Sequence, residues 1–472
     1  QRRSRKRMRG NTTKRKLATI GAAFAVSALA LAGCSSGSPE AEDGTDLPDD
    51  SATEVEDNDG KSIRLWLIGG DTPDELRDWL VDEFEAKTGA ELKIEEQTWG
   101  DIVTKLTTSM PDPAQTPDVT EIGNTQSPTF TNIGAFLEID DELYKELGGD
   151  DLLQSFVKVG EVDGKKYTLP YYFGSRYAFY RKDIWAAAGQ EVPKTLDEFN
   201  NSVVEITADN PDHIADFSGF FLGGQDWRNG ISWIFANGGE IAVEKDGKWE
   251  ATLDSADTVR GLEQLQNIYQ NASKAPKDQK DEAPWTFIND TDVEAGDEGE
   301  DDKEISLSAA TIMAPGWAHW SIGDAVENDE GDIVREWNDE IFGVFALPGN
   351  DGKPAPVFAG GSNIGISAAT QEPELAKDLM RLIFSEDFQK MLGENGLGPA
   401  NQKYVSSLGD DIFAQALIES ASNSKLTPAA PGWAAVEAAG VMEEFFSKIK
   451  DADDLEALGK EYNEIMNPLL ND

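Results

Sequence analysis

An α/β fold is expected from three features of this 472-residue chain. Short β-rich runs alternate with amphipathic helices through residues 62–122, helix-start signatures recur at matching offsets, and 39% apolar residues plus 44 Gly can bury a core. The first strand is expected over Ser62 to Ile68 (SIRLWLI). After Gly69-Gly70 a helix should begin, with Thr72 as N-cap, Pro73 in the first turn and Glu75 completing a capping box. Leu76, Trp79, Leu80 and Phe84 then fall on one face at i, i+3, i+4 and i+8, and Gly89 ends the helix. A second strand over Leu92 to Gln97, a helix over Asp101 to Met110 and a third strand over Asp118 to Ile122 continue the alternation, as in a parallel sheet. Further along come a strand over Arg176 to Tyr180, a second capping box at Thr195 and Glu198, and amphipathic helices at 373–384, 386–393 and 433–449. No fixed-period repeat is present. The length favours two or three domains.

Composition removes several function classes. There are 41 Lys plus Arg against 89 Asp plus Glu, a formal net charge of −48, so nucleic acid is not an expected partner. One Cys rules out an internal disulfide framework and any Cys-only zinc or iron-sulfur site, and two His (His213 and His319) leave little for metal or general-base chemistry. No cofactor and no metal are expected. Neither a GxSxG element nor a Walker loop occurs. Carboxylate pairs arise by chance at this acid content, so a two-carboxylate glycosidase gains nothing from spacing. His319, beside Trp317 and Trp320, reads as a packed or cleft-wall residue. Asp290 to Glu304 holds nine acids in 15 residues and reads as a solvated surface loop. As a calcium site it begins like an EF-hand at Asp290, Asp292 and Glu294. Ala295 then stands where Gly is required, and Asp301 is twelfth.

The N-terminus carries the opposite charge. Residues 1–33 hold nine basic residues and no acid, and the 16-residue run Leu17 to Ala32 is uncharged. It is short and rich in Ala and Gly for a membrane span. It ends in Leu31-Ala32-Gly33-Cys34, the small-residue cleavage pattern of a secretory signal peptide set before the only cysteine. This resembles a bacterial lipobox, which implies cleavage before Cys34 and a lipid anchor on it. Met8 is read as the start of translation. Residues 35–60 hold ten acids, no base and no aromatic residue, and read as a tether of roughly 30 Å.

Segments spread over about 400 residues together resemble the carbohydrate-binding lipoproteins of ABC importers, the group that includes maltodextrin-binding proteins. They include IRLWLIGGDTPDELRDWLVDEFEAKTGAELKIEE, PDVTEIGNTQSPTFTNIGAFLEID, GKKYTLPYYFGSRYAFYRKDIWAAAG, SWIFANGGEI, ATIMAPGWAHW, PVFAGGSNIGIS and EPELAKDLMRLIFSEDFQKMLGENGLGPA. Their order and spacing carry the likeness more than any one string. The acidic insertion near 290 departs from the family's shorter loops. The resemblance implies two α/β lobes with a hinge and an interlobe ligand cleft. One lobe would take residues 61–173 and 360–413, the other 176–356 and 420–472, with crossings near Gly174, Ala359 and Gln415. It further implies a monomeric sugar receptor that delivers to a membrane permease, anchored by lipid on the extracytoplasmic face of the cell membrane, and not an enzyme. An exported glycan-cleaving enzyme and a calcium-dependent adhesin are the rival readings.

A sugar offers a flat apolar face and a rim of hydroxyls, so its site needs aromatic faces with amide, hydroxyl, carboxylate and Arg groups around them. Of 12 Trp, Trp79 and Trp185 lie on helix faces and read as packing. Trp99, Trp227, Trp317 and Trp433 stand in segments read as loops, where uncovered large rings are costly. Trp227, Trp317 and Trp433 match the positions of family cleft aromatics. The polar candidates are Asn124, Gln126, Tyr172, Ser175, Arg176, Asp226, Ser362 and Asn363.

Overall fold

The computed structural model describes Asn58, residues 60–290 and 307–328, Gly331 and residues 333–471. Cys34, the signal and tether segments up to 57, and the acidic run after Asp290 lie outside them. Among the described residues no helix is long and apolar enough to cross a membrane.

The chain forms two lobes, each built on its own sheet. The first sheet has six strands in the order Gly398–Pro399, Thr168–Gly174, Gly360–Ile366, Val119–Gly123, Ser62–Ile68 and Glu91–Gln97. Ser62–Ile68 pairs in parallel with both Glu91–Gln97 and Val119–Gly123, as strand–helix alternation requires. The later strands join antiparallel. Period-two alternation in SIRLWLI sends Ile63, Leu65 and Leu67 into a core with Leu80, Phe84, Ile364, Leu379 and Phe388. Trp66 and Ile68 pack on the other face with Ile102, Leu106 and Phe130. A sheet covered on both faces explains why this strand is almost wholly apolar.

The second sheet is Thr311–Pro315, Arg176–Arg181 and Phe342–Phe345, all antiparallel. Its core gathers Phe199, Trp233, Leu265, Phe445 and Tyr462 from the helices Leu196–Asp209, Trp227–Ala236, Ala256–Asn271, Val441–Ile449 and Leu455–Leu470. Ser175 alone separates the first sheet's Thr168–Gly174 from the second sheet's Arg176–Arg181. A second passage is held where Gly360 pairs with Gly174 and the Ala359 N–H donates to the Lys425 carbonyl (2.8 Å). Gln415 lies inside the helix Ile412–Ala421. Ala414 and Leu417 of that helix share an apolar cluster with Phe173 of one sheet and Tyr177 and Phe179 of the other.

Three local expectations are corrected. The first helix spans Asp74–Thr88 with Pro73, not Thr72, at its N-cap and no side-chain cap; the Thr72 hydroxyl bonds instead to the buried Tyr171 hydroxyl (2.7 Å). At the second box the Thr195 hydroxyl accepts from the Glu198 N–H, but the Glu198 carboxylate reaches Lys194 N rather than Thr195 N. The expected 433–449 helix is two helices, Trp433–Ala438 and Val441–Ile449. Gly440 between them sits at φ 64°, a left-handed conformation that glycine adopts without a Cβ clash. Gly89, at φ 73°, ends its helix as expected.

Candidate binding site between the lobes

Three parallel strands of the first sheet end on the same side, where open α/β sheets place ligands. Ile68 leads to Gly69–Asp71, Gln97 to Trp99, and Gly123 to Asn124–Gln126. The Asp71 carboxylate accepts from the Trp99 indole N–H (3.1 Å) and the Tyr172 hydroxyl (2.9 Å). A Cβ on Gly123 would stand 2.0 Å from the Gln126 side-chain oxygen and 3.1 Å from the Trp99 ring, so glycine there leaves room for both side chains against the strand. Trp99 is 41% exposed.

The second lobe faces this with the start of the helix Trp227–Ala236 and the two short helices after Gly432. Asp226 caps the former by accepting from Asn229 N (3.1 Å). The rings of Trp227 and Trp433 meet edge to face at 6.2 Å and 71°. The Trp227 N–H donates to Glu443 Oε1 (3.0 Å), and the Arg228 guanidinium lies 4.6 Å over the Trp227 ring. Arg228 also stands 3.8 Å from Glu437 Oε1.

The lobes touch along this line. Glu437 Oε2 accepts from the Thr125 hydroxyl (3.1 Å) and the Gln126 amide (3.3 Å). The Thr129 hydroxyl donates to the Pro431 carbonyl (2.5 Å). Burial raises the Glu437 pKa, opposed by Arg228 and by nearby donors. Four buried polar atoms here have no hydrogen-bond partner: Gln126 Oε1, Trp433 Nε1, Glu437 Oε1 and Glu443 Oε2. The Trp433 N–H favours the Glu437 anion without making a full hydrogen bond to it. Leaving such groups unpaired costs ~1–3 kcal/mol each, so the seam is poised for a molecule that would pair them.

Of the residues singled out from sequence, Trp227, Trp433 and Gln126 lie on this seam, but the two tryptophans open helices rather than standing in loops and are buried in the second lobe's core, because the helices around them cover both rings. Asn124 sits at its end, its amide donating to the Ala359 carbonyl (2.8 Å). Tyr172 reaches it through Asp71. Trp317 is 55% exposed and packs edge to face on Trp285 at 5.0 Å. It follows Gly316, whose N–H bonds to the Ser175 carbonyl (3.2 Å), so it stands near the crossing. Ser175 is buried with an unpartnered hydroxyl. Arg176 and Asp226 belong to a buried network behind the Trp227 helix: Arg176 bonds to Asp281 and to Asn229 (3.4 Å), and Asn229 bonds to Asp226 (2.6 Å). Burial, then repulsion from Asp281, pushes the Asp226 carboxyl up to about 7 against the pull of Arg176. Ser362 and Asn363 point into the sheet, Ser362 to Glu121 (2.6 Å) and Asn363 to Phe156 O (2.9 Å) and Thr168 (3.1 Å). His319 stacks on Phe413 at 4.2 Å, and burial lowers its pKa.

Asp71, Thr125, Arg228, Glu437 and Glu443 join the seam without having been singled out. Glu437 stands one helical turn after Trp433, the only sequence cue that could have found it. Among the described residues no cluster of His, Cys, Asp and Glu could hold a metal ion. A cavity of about 260 Å³ lined by Gly224, Tyr269, Lys277, Phe446 and Asp451 shares no residue with the seam.

The sequence signature of bacterial extracellular solute-binding proteins matches residues 79–417. The diacetylchitobiose binding protein DasA of Streptomyces coelicolor is 33% identical over 382 residues, covering 80% of this chain and 82% of its own. Two solved structures with the same fold are the sugar-binding protein MalE of Xanthomonas citri and the GacH receptor of Streptomyces glaucescens. MalE has a TM-score of 0.70 at 20% identity over 87% of this chain and 97% of its own. GacH has a TM-score of 0.67 at 18% identity over 87% and 98%.

Proposed function

This chain belongs to the bacterial extracellular solute-binding proteins, and from that premise we propose that it captures a short oligosaccharide between its lobes and delivers it to an ABC permease. The observation that carries the reading is the seam itself: two perpendicular tryptophans ringed by polar atoms that lack partners. Three of those atoms accept hydrogen bonds and one donates, so the ligand must be rich in O–H or N–H donors. A sugar hydroxyl or an acetamido N–H meets that need, and the DasA relative, a diacetylchitobiose binding protein by name, makes an N-acetylated disaccharide the first candidate. The lobe limits are taken as 61–173 with 360–413, and 176–356 with 420–472. The chain acts as a monomer without catalysis, exported and held on the membrane by lipid at Cys34.

Calorimetry with N,N′-diacetylchitobiose, maltose and maltotriose tests this. One of them should bind, with a ligand at 100 times its dissociation constant adding ~2.7 kcal/mol of stability. Chromatography of the same mixtures should show the sugar unchanged. No binding by any carbohydrate in a wider panel would overturn the sugar reading, and a cleaved product would overturn the claim that it is not an enzyme.

A further inference from the structure

The two short helices after Gly432 carry three carboxylates, Glu437, Glu443 and Glu444. Two of them have a cation. Glu437 stands 3.8 Å from Arg228, and the exposed Glu444 stands 3.3 Å from Lys448. Glu443 has none among the described residues. Its Oε1 accepts from the Trp227 N–H (3.0 Å), while its Oε2 is buried without a hydrogen-bond partner. The residue lies in the first turn of Val441–Ile449, where the aligned peptide dipoles favour an anion. That supports its charge but gives Oε2 no donor, and a buried carboxylate oxygen in this state is costly.

The neighbourhood lacks donors rather than acceptors. The Arg228 guanidinium lies over the Trp227 ring at 4.6 Å and forms its ion pair with Glu437, not with Glu443. Of the other open atoms on the seam, Glu437 Oε1 and Gln126 Oε1 accept and only the Trp433 N–H donates. Asp71, Glu437 and Glu443 thus place three carboxylates on the seam against one guanidinium. The missing component is positive.

We infer that the ligand is an amino sugar with a free, protonated nitrogen, and that Glu443 is the residue that recognises it. This rests on the sugar-receptor reading and narrows it from the acetylated disaccharide to its free amine. An ammonium brings three N–H donors and a full charge. A hydroxyl brings one donor, and an acetamido group brings one N–H together with a carbonyl that adds an acceptor where acceptors already stand unpaired. An N–H bond from a cation to a carboxylate is about twice as strong as a neutral one, and a cation beside Glu443 also offsets the desolvation of that carboxylate. The Trp433 N–H, the one open donor, is left for an oxygen of the same sugar.

Three disaccharides with one β-1,4-linked skeleton test this: diglucosamine, N,N′-diacetylchitobiose and cellobiose, which differ only in carrying an amine, an acetamido group or a hydroxyl at C2. Calorimetry at pH 6, below the ~7.7 of an ordinary α-amino group, keeps the sugar amine protonated. Diglucosamine should bind roughly tenfold more tightly than either of the others, the difference between a charge-assisted and a neutral hydrogen bond. In Glu443→Gln, whose amide oxygen can still accept from the Trp227 N–H, that ratio should fall to near one, with thermal unfolding confirming that the variant is folded. The native comparison is decisive without the variant: cellobiose or N,N′-diacetylchitobiose binding as tightly as diglucosamine overturns the inference. So does a tenfold advantage retained in folded Glu443→Gln. Binding confined to amine-free sugars removes the inference and leaves the receptor reading intact, whereas binding of no carbohydrate at all removes both.

Discussion

Trp433 combines two roles that mutation can separate. It is completely buried, so Trp433→Ala would open a cavity and cost ~3–5 kcal/mol of stability whatever its part in binding. Trp433→Phe keeps one aromatic ring in place and removes the five-membered ring with its N–H, which has no hydrogen bond in the protein, so its cavity and its stability cost should be smaller than those of the Ala variant. Sugar affinity should still drop about tenfold, the size of one hydrogen bond lost to a ligand; calorimetry and thermal unfolding on the same sample separate the two effects. Asp226 offers a pH prediction. Its carboxyl is raised to about 7 in the folded chain and lies near 3.8 when unfolded. The folded state thus holds the proton more tightly, and the stabilisation it gives is full below pH ~4 and is lost as pH rises through 7. Asp226→Asn keeps an N-cap and cannot ionise. Its stability relative to the native chain should therefore climb by on the order of 1–3 kcal/mol between pH 4 and 8. Parallel melting curves that differ by a constant across that range would refute this.

Helix propensity alone would put Ala rather than Gly at position 230, inside the helix that carries Trp227. The packing argues otherwise. A Cβ there would stand 2.3 Å from the Phe446 ring, in the helix that carries Glu443. Gly230→Ala should consequently destabilise by ~1–3 kcal/mol despite Ala's intrinsic advantage, and weaken sugar binding by moving Trp227 away from Glu443. A more stable variant would show that the two helices yield at no cost. The same logic explains the break at Gly440: it places Glu437 and Glu443 on separate helices that converge on the two tryptophans, where one straight helix would carry them past.

Motion of the lobes is limited by how the chain crosses between them. One crossing is the single residue Ser175, and another is tied to it through Gly174 and Gly360. Short crossings permit a hinge and little else. To shift the lobes from 1:99 to 99:1 closed, a ligand must favour the closed form by ~5.5 kcal/mol. Pairing the four open atoms of the seam, with stacking on a tryptophan, is of that order. Small-angle scattering should show a smaller radius of gyration when the cognate sugar is added. Superimposable curves with tight binding would refute hinge closure even in a working receptor. Anchoring is tested on the full chain in its host: Cys34→Ala should appear in the medium, and unchanged membrane retention would remove the lipid anchor from the proposal.

Local sequence was enough for the alternation of strands and helices, the apolar faces of Leu76, Leu80 and Phe84 and the helix end at Gly89, because each depends on residues within a few turns of one another; the family resemblance needed the order of segments along the whole chain. Its failures had different ranges: Thr72 was drawn from its cap by a tyrosine 99 positions away, and Gly440 divided the expected 433–449 helix in two. Trp227 and Trp433 could be singled out as large rings in Gly-rich surroundings. Nothing near them in the chain shows that they meet, or that Glu443 lies 3.0 Å from Trp227 across 216 positions. Ser362 and Asn363 share a Gly-rich string with good binding chemistry, yet strand pairing turns both inward. Spacing along a chain decides which face of an element a side chain occupies; which faces meet, and which polar atoms are left unpaired where they do, depends on how distant elements close around a common core.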